Sequence, residues 1–485
     1  MKKSFLPLFL IVLLVGTILS LPMLGSSASG KQLILFFVSK KLHQKAEAEK
    51  LHFSWLGPQR LHNITVTSPN CTLFIEELSA KLPFWKLFTL SSLTKKNFAS
   101  LIAATSIQNA SITTLSPESH FSNINMTSVQ DERFPLHLEM DGKSSEGGKI
   151  FVRIQEENLG FSKGTLQLSL HSFPTLILDK VLTPFTKLSE GFFSALLGNQ
   201  MELEGSCNIE NEQHICSLTL SSPLASVKME AVLEKNLITL QKDMQADIFL
   251  TETFSKYFLK EMSPLFISAE SSQKPIHLIL LKEGFVCPIH PFSLKEVKIQ
   301  KAILDLGQIK AKNAAGLALI MGIMKLHLPS HIEEMDVWAT PVSLSLYEGA
   351  LYTDRMDALL DHSIHICCWG NVDLITKEVD MTLGLTADAL RETFHFANLP
   401  DDYVMTIPVK GTIDQVKIDQ GVATAKIAKL MAMKATNAGL INKLLGGIIK
   451  EDNIPPPKRP FPWEGKVKKS SSSKKSPRDL FDLFQ

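Results

Sequence analysis

Four potential metal ligands fall within seven residues at His362, His365, Cys367 and Cys368, and imidazole and thiolate are the donors zinc prefers. The segment alternates as an extended strand, which sends His365 and Cys367 to one face and Cys368 to the other. Ligands split between two faces of one strand cannot enclose a tetrahedral ion, so these residues read as packing. His277, Cys287 and His290 have no second pair at ligand spacing. The carboxylate pairs Glu333-Glu334 and Asp401-Asp402 fall in predicted turns, where solvation accounts for them. The local signatures of a serine hydrolase elbow (Gly-x-Ser-x-Gly), a metalloprotease helix (His-Glu-x-x-His) and a phosphate loop are missing from the chain. The expectation is therefore a protein that is not an enzyme, with no catalytic residues, no metal and no cofactor. Cys207 and Cys216 are spaced for a possible disulfide across a hairpin. An oxidising compartment would permit that bond.

The 485 residues carry 50 Lys and Arg against 49 Asp and Glu, a formal net charge of +1. Such a balance creates no global field to gather nucleic acid, and no nucleic-acid partner is expected. Basic residues concentrate near Lys468, Lys469, Lys474 and Lys475, where Trp463 is the one nearby tryptophan, so anionic lipid headgroups or water are better partners there than bases. Six cysteines are too few for a disulfide scaffold in a chain of this length. Apolar residues make up 45% and charged ones 20%, a composition greasier than an ordinary core requires.

Part of that grease has a clear place. No charge occurs between Lys3 and Lys31, and the run Phe5 to Leu24 is almost wholly apolar. As a helix it would be ~30 Å long and match a bilayer core. Lys2 and Lys3 keep its start in the cytoplasm and send the rest of the chain across. Ser26-Ser27-Ala28 also suits a signal peptidase, so a retained anchor and a cleaved signal both fit. Either way the bulk of the chain is expected outside the cytoplasm.

The remaining pattern predicts a β-rich α+β chain. Residues 31–105 hold an amphipathic helix (Leu33, Phe36, Phe37, Lys40, Lys41) and first strands around Phe53, Trp55, Leu61, Ile64, Val66, Leu73 and Ile75, with turns at Gly57-Pro58 and Pro69-Asn70. Residues 106–265 are mostly strands, such as Ile150 to Ile154 and Thr165 to Leu170, with helices predicted over Pro174 to Leu197 and Thr251 to Leu265. A strand ending in Leu-Thr before a short helix recurs at Leu182-Thr183, Leu250-Thr251 and Leu385-Thr386, which suggests a loosely repeated unit. Residues 266–425 are a second β-rich region, interrupted by an apolar helical stretch at Ala314 to Met324. Residues 426–453 read as an amphipathic helix, and 454–485 as a disordered tail rich in Pro, Ser and Lys.

Two blocks resemble the AsmA family, relatives of TamB and of the bridge-like lipid carriers. The first runs from the basic start and apolar helix through Phe53-Ser54-Trp55-Leu56-Gly57-Pro58, Leu61 to Val66 and Phe74 to Leu82. The second holds Gly370-Asn371-Val372-Asp373-Leu374 and Val409-Lys410-Gly411-Thr412-Ile413-Asp414, then a helix and a proline-rich end. The resemblance spans roughly residues 1 to 90 and 340 to 460. It implies a single-pass inner-membrane protein, anchored by residues 1–30, with its bulk in the periplasm. It implies an elongated, curved, mostly antiparallel sheet with an apolar groove and short interspersed helices. The task implied is binding acyl chains and moving lipid between membranes, or maintaining the outer envelope, with membrane lipids as partners and no catalytic residues to carry over. Alternation nominates Phe53, Trp55, Ile75, Phe151, Leu166, Leu168, Leu170, Leu383 and Leu385 as groove lining. The alternative is a non-catalytic scaffold or assembly factor that engages envelope proteins through sheet edges and the C-terminal tail.

Overall fold

The computed structural model describes residues 21–42, 44–68, 71–84, 101–115, 118–128, 133–144, 147–157, 162–182, 191–210, 213–259, 269–289, 291–312, 334–396, 399–435 and 454–466. Most of the apolar run Phe5 to Leu24 lies outside them, as do Ala314 to Met324, residues 436–453 and the chain beyond 466. Among the described residues no helix is long and apolar enough to cross a membrane. The chain divides into two compact units, Met1–Ala246 with Val286–Phe292, and Asp247–Phe285 with Ser293–Gln485. Both are β-rich and antiparallel.

The first unit is a meander. Its strands are β1 (Lys45–His52), β2 (Gln59–Thr67), β3 (Cys71–Ala80), β4 (Thr105–Leu115), β5 (Glu118–Ser128), β6 (Leu136–Ser144), β7 (Lys149–Glu156), β8 (Lys163–Pro174), β9 (Gln200–Glu210), β10 (Gln213–Ser221), β11 (Ala225–Glu234) and β12 (Leu237–Leu240). Each pairs antiparallel with the next. Apart from the longer connections between β3 and β4 and between β8 and β9, the links are short, and neighbours in sequence pair at the least cost in loop closure. Helix α1 (Ala28–Leu42) flanks the edge strand β1. Ser39 Oγ accepts from Ala46 N at 2.9 Å, Ser26 Oγ from Phe53 N at 2.8 Å, and Lys31 Nζ donates to Glu49 O at 2.9 Å. These side chains satisfy main-chain groups that an edge would otherwise offer to another strand.

Of the helix expected over Pro174 to Leu197, the described residues hold α2 (Thr175–Leu182) and α3 (Phe192–Leu197), and residues 183–190 lie outside them. The fully buried Asp179 accepts from Phe193 N at 2.7 Å and Ser194 N at 2.9 Å, which fixes the start of α3.

Strand β13 (Met244–Ile248) spans the boundary between units. The second unit contains β14 (Ala269–Ser272) and β15 (Ile276–Leu280), while β16 (Cys287–Pro288) belongs to the first unit and pairs with β12. It continues with β17 (Ile299–Asp305), β18 (Gln308–Lys312), β19 (Glu334–Ala339), β20 (Val342–Tyr347), β21 (Ala350–Leu360), β22 (Ile364–Asp373), β23 (Glu378–Thr386), β24 (Val404–Thr412) and β25 (Gln415–Ile418). The sheet forks at β21. One half of β21 pairs with β20, leading to β17 and β15, and the other with β19, leading to β18 and β14. On its other side β21 begins the regular run β22, β23, β24, β25.

The Leu-Thr signals at 250–251 and 385–386 mark helix starts. Thr251 accepts from Phe254 N and Thr386 from Ala389 N, the latter opening α4 (Ala387–Phe394). Helix α5 (Gln420–Ala435) starts six residues before the expected 426 and covers the part of β24 that β25 leaves free. Lys426 Nζ donates to Thr406 O at 3.0 Å, and Asp419 N to Pro408 O at 3.1 Å.

One expectation is corrected. Residues 454–466, assigned from composition to a disordered tail, pack as a strap on the second unit, bent at 459–460 and turned over 462–466, with Phe461 and Trp463 buried. Prolines lower the entropy the segment loses on ordering, and two aromatic side chains supply the burial that a Lys/Ser tract cannot.

Candidate functional site

Directly paired residues of an antiparallel sheet point to the same side, so the registers trace each face across strands. In the first unit one face is apolar from end to end. One row runs Leu51, Leu61, Leu78, Ile107, Met126, Met140, Val152, Leu168, Gly205, Leu218 and Met229, a chain of direct partners from β1 to β11. A parallel row over the later strands runs Ile150, Leu170, Leu203, Leu220 and Val227. The opposite face is polar, as in the row Glu139, Arg153, Gln167, Ser206, Ser217 and Glu230. Arg153 Nε donates to Glu139 Oε1 there at 2.9 Å.

Keeping the apolar face continuous through β1 to β4 requires a break in alternation. Pairing skips one residue per strand at Glu49, Asn63, Glu76 and Asn109. Asn63 and Asn109 take φ of 51° and 47°, a conformation asparagine tolerates better than other non-glycine residues. Asn63 Nδ2 donates to Glu49, and Asn109 Nδ2 to Glu76 Oε2 at 2.8 Å. The kink resets the pleat, so Leu61 and Ile64, three apart, share a face and pack in one cluster with Ala48, Leu51, Ile75 and Leu78.

From β7 to β11 much of this face is half-buried: Leu166, Leu168, Leu203, Leu218, Leu220 and Met229 keep part of their surface exposed, while Leu170 is buried, and the disulfide between Cys207 and Cys216 lies on the same face. Ile75 sits on the face near its start. Phe53 and Trp55 lie just after β1, both against Phe84 with ring centroids 5.5 and 5.3 Å away, and Phe53 packs on the cluster of Ala48, Leu51 and Ile64.

Three nominated residues are not on the open face. Phe151 pairs with Ser169 and Asp141, so it stands on the polar face, under the Arg153 guanidinium at 5.1 Å. The strand Ile150-Phe151-Val152 is apolar at consecutive positions, and its inward residues are Ile150 and Val152. Leu383 and Leu385 lie in the second unit, fully buried between Cys368 and Ile407 and between Ile366 and Met405. They belong to a sealed core. A gap in it near β21 and β22, lined by Ile309, Val337, Met356, Leu360, Ile366 and Cys368 among others, has a volume of about 30 Å³.

The second unit holds a buried polar cluster that sequence reasoning missed. Asp357, wholly buried, receives Arg355 Nε at 3.0 Å and Nη2 at 2.8 Å, and lies 3.0 Å from His365 Nε2. Thr340 Oγ1 accepts from Asp357 N at 2.9 Å, and Thr386 Oγ1 donates to His365 O at 2.7 Å. Burial pushes the Asp357 carboxyl up, but hydrogen bonds from His365 and Arg355 outweigh it and hold it below the usual carboxylate range. The available signal is Arg355 and Asp357 two apart, with Asp357 followed by the apolar run Ala358-Leu359-Leu360. Burial pushes the Cys368 thiol up to about 12 and Cys367 higher still, so neither is poised as a nucleophile or metal ligand at neutral pH. His362 is in the turn before β22, 3.6 Å from Asp336. Among the described residues no group of His, Cys, Asp and Glu could hold a metal.

A scan against family models and searches of curated proteins and of solved structures found no match to this chain.

Proposed function

We propose that the protein binds acyl chains along the open apolar face of its first unit and, as an AsmA-like protein anchored in the inner membrane, helps move lipid between membranes or maintain the outer envelope. The observation that carries this reading is the row of directly paired apolar residues from Leu51 to Met229, with Gly205 its one position without a side chain, still partly exposed where it passes β7 to β11. An acyl chain moved from water onto such a face gains about 0.8 kcal/mol per buried methylene, while its headgroup stays in solvent. Successive strands present similar surface, so an acyl chain lying on the face would slide along it with low barriers. Exposed Leu33, Phe36 and Phe37 on α1, beside the first strand, extend the apolar surface toward the membrane end. The scaffold alternative would use free sheet edges, and here β1 and the open part of β24 already have side-chain caps.

The test is mass spectrometry of organic extracts of the full chain purified from its native envelope. Reproducible phospholipid or glycolipid, lost in a folded Leu166→Asp or Leu168→Asp variant, is the expected result. A folded protein free of lipid would move the reading to the scaffold.

A further inference from the structure

The strap at 454–466 is held by contacts of the kind a peptide-binding slot makes with a separate ligand. Arg355 uses its third nitrogen, Nη1, to donate to Pro455 O at 2.8 Å, recognising main chain that proline leaves in an extended form. Lys458 Nζ donates to Ser343 Oγ at 2.8 Å and lies 3.9 Å from Asp354. Phe461 and Trp463 stack with centroids 4.9 Å apart, and His365 meets both edge-on at 4.8 and 5.3 Å. Leu359 and Trp338 complete the apolar floor, and Lys466 Nζ sits 5.3 Å from the Trp338 ring centre.

Three features separate this slot from ordinary core. Its floor is a prearranged ion cluster, in which Asp357 fixes Arg355 and His365 from within the sheet. Its ligand is a single short segment, free of helix and strand over 454–458 and turned over 462–466, and it follows α5 in the chain after residues 436–453. Beside the strap a cavity of about 150 Å³ remains, lined by Arg355, His365, Tyr403, Pro457, Arg459 and Phe461 among others, so the segment does not fill its site. Extended proline segments with flanking aromatics and a basic residue are a recurrent recognition ligand, because little ordering entropy is lost on binding.

We propose that this face of β19, β21 and β22 is a peptide-recognition slot for segments of the type basic-proline-aromatic-proline-aromatic, and that the chain's own residues 454–466 occupy it as an internal competitor. The partner is a protein segment of the same chemistry, which gains access when the strap leaves. Tethering gives the strap an effective concentration typically ~mM, so a free segment competes poorly until the strap is weakened.

The test uses the full chain carrying Phe461→Ala with Trp463→Ala, its fold checked by circular dichroism, and a fluorescent synthetic peptide of residues 454–466. The expected result is saturable binding to the double variant and at least tenfold weaker binding to the unaltered chain. A peptide with alanine at both aromatic positions should not bind. A peptide with Lys458→Glu should bind more weakly to the double variant, and an added Asp354→Lys in the protein should restore it. No binding to the folded double variant would overturn the proposal and leave the strap a fixed cover. Equal binding to the variant and the unaltered chain would also overturn it, because the peptide would then be adhering elsewhere.

Discussion

Leu168 and Leu383 both sit mid-strand on the apolar face of an antiparallel sheet, with apolar or small partners on either side, yet Leu168 is half-buried and Leu383 is fully enclosed. In the second unit that face alternates bulky side chains with Ala269, Ala311, Ala339 and Ala358, and beside it is a gap of about 30 Å³. In the first unit the face carries long side chains across many strands and stays partly open. The same pattern therefore builds a core in one unit and an accessible surface in the other. What distinguishes them is the cover.

The sharpest break of this comparison is a buried charge. Leu385→Asp should cost the second unit about 4 kcal/mol or more, because the carboxylate has neither water nor partner. Trp338, Trp369 and Trp463 lie in that unit, so tryptophan fluorescence in urea reports its loss. An unchanged midpoint would show that the core is not sealed.

Next in size is the ion cluster. Asp357→Asn leaves Arg355 buried with no counter-charge and should cost about 3–5 kcal/mol at pH 7. The Asp357 carboxyl is depressed in the folded state, so its contribution is complete above the unfolded value of about 3.9 and is lost as pH falls through the lower folded value. The gap between variant and unaltered chain in urea melts should therefore narrow on acidification through that range. A gap that widened would reverse the sign of the linkage.

Leu168→Asp should cost only about 1 kcal/mol, since its carboxylate can reach water, while it removes bound lipid. Comparable losses of stability in Leu168→Asp and Leu385→Asp would erase the distinction between the units. The smallest effect is expected for Phe151→Ala on the polar face, with stability altered by about 0.5–1 kcal/mol through the lost Arg153 contact and lipid content unaltered. Lipid loss in that variant would put the binding face on the wrong side of the sheet.

Much of the strand content was legible because alternation is local. The face of an individual strand was legible where polar and apolar residues alternate cleanly, as in Leu166 to Leu170. It failed at Phe151, where apolar neighbours hide the period and only pairing with Ser169 decides. Leu383 and Leu385 alternate just as Leu166 and Leu168 do, and no single strand encodes whether its face will be covered. The left-handed turns at Asn63 and Asn109 left a trace, the spacing of three between Leu61 and Ile64, but their meaning depends on Glu49 and Glu76 in neighbouring strands. The strap was hidden by composition, since proline and lysine signal disorder, and its anchors Phe461 and Trp463 count only once Arg355 and His365 are in place. That cluster needs β21 and β22 paired, a long-range fact.

The most direct test is to give the purified full chain a phospholipid with a photoactivatable acyl chain and map the cross-links by peptide mass spectrometry. Cross-links concentrated on β7 to β11 at the rows containing Leu166, Leu168, Leu203 and Leu218, and none at Leu383 or Leu385, are the expected result. Cross-links shared equally by both units, or confined to the face that carries Arg153 and Phe151, would contradict it.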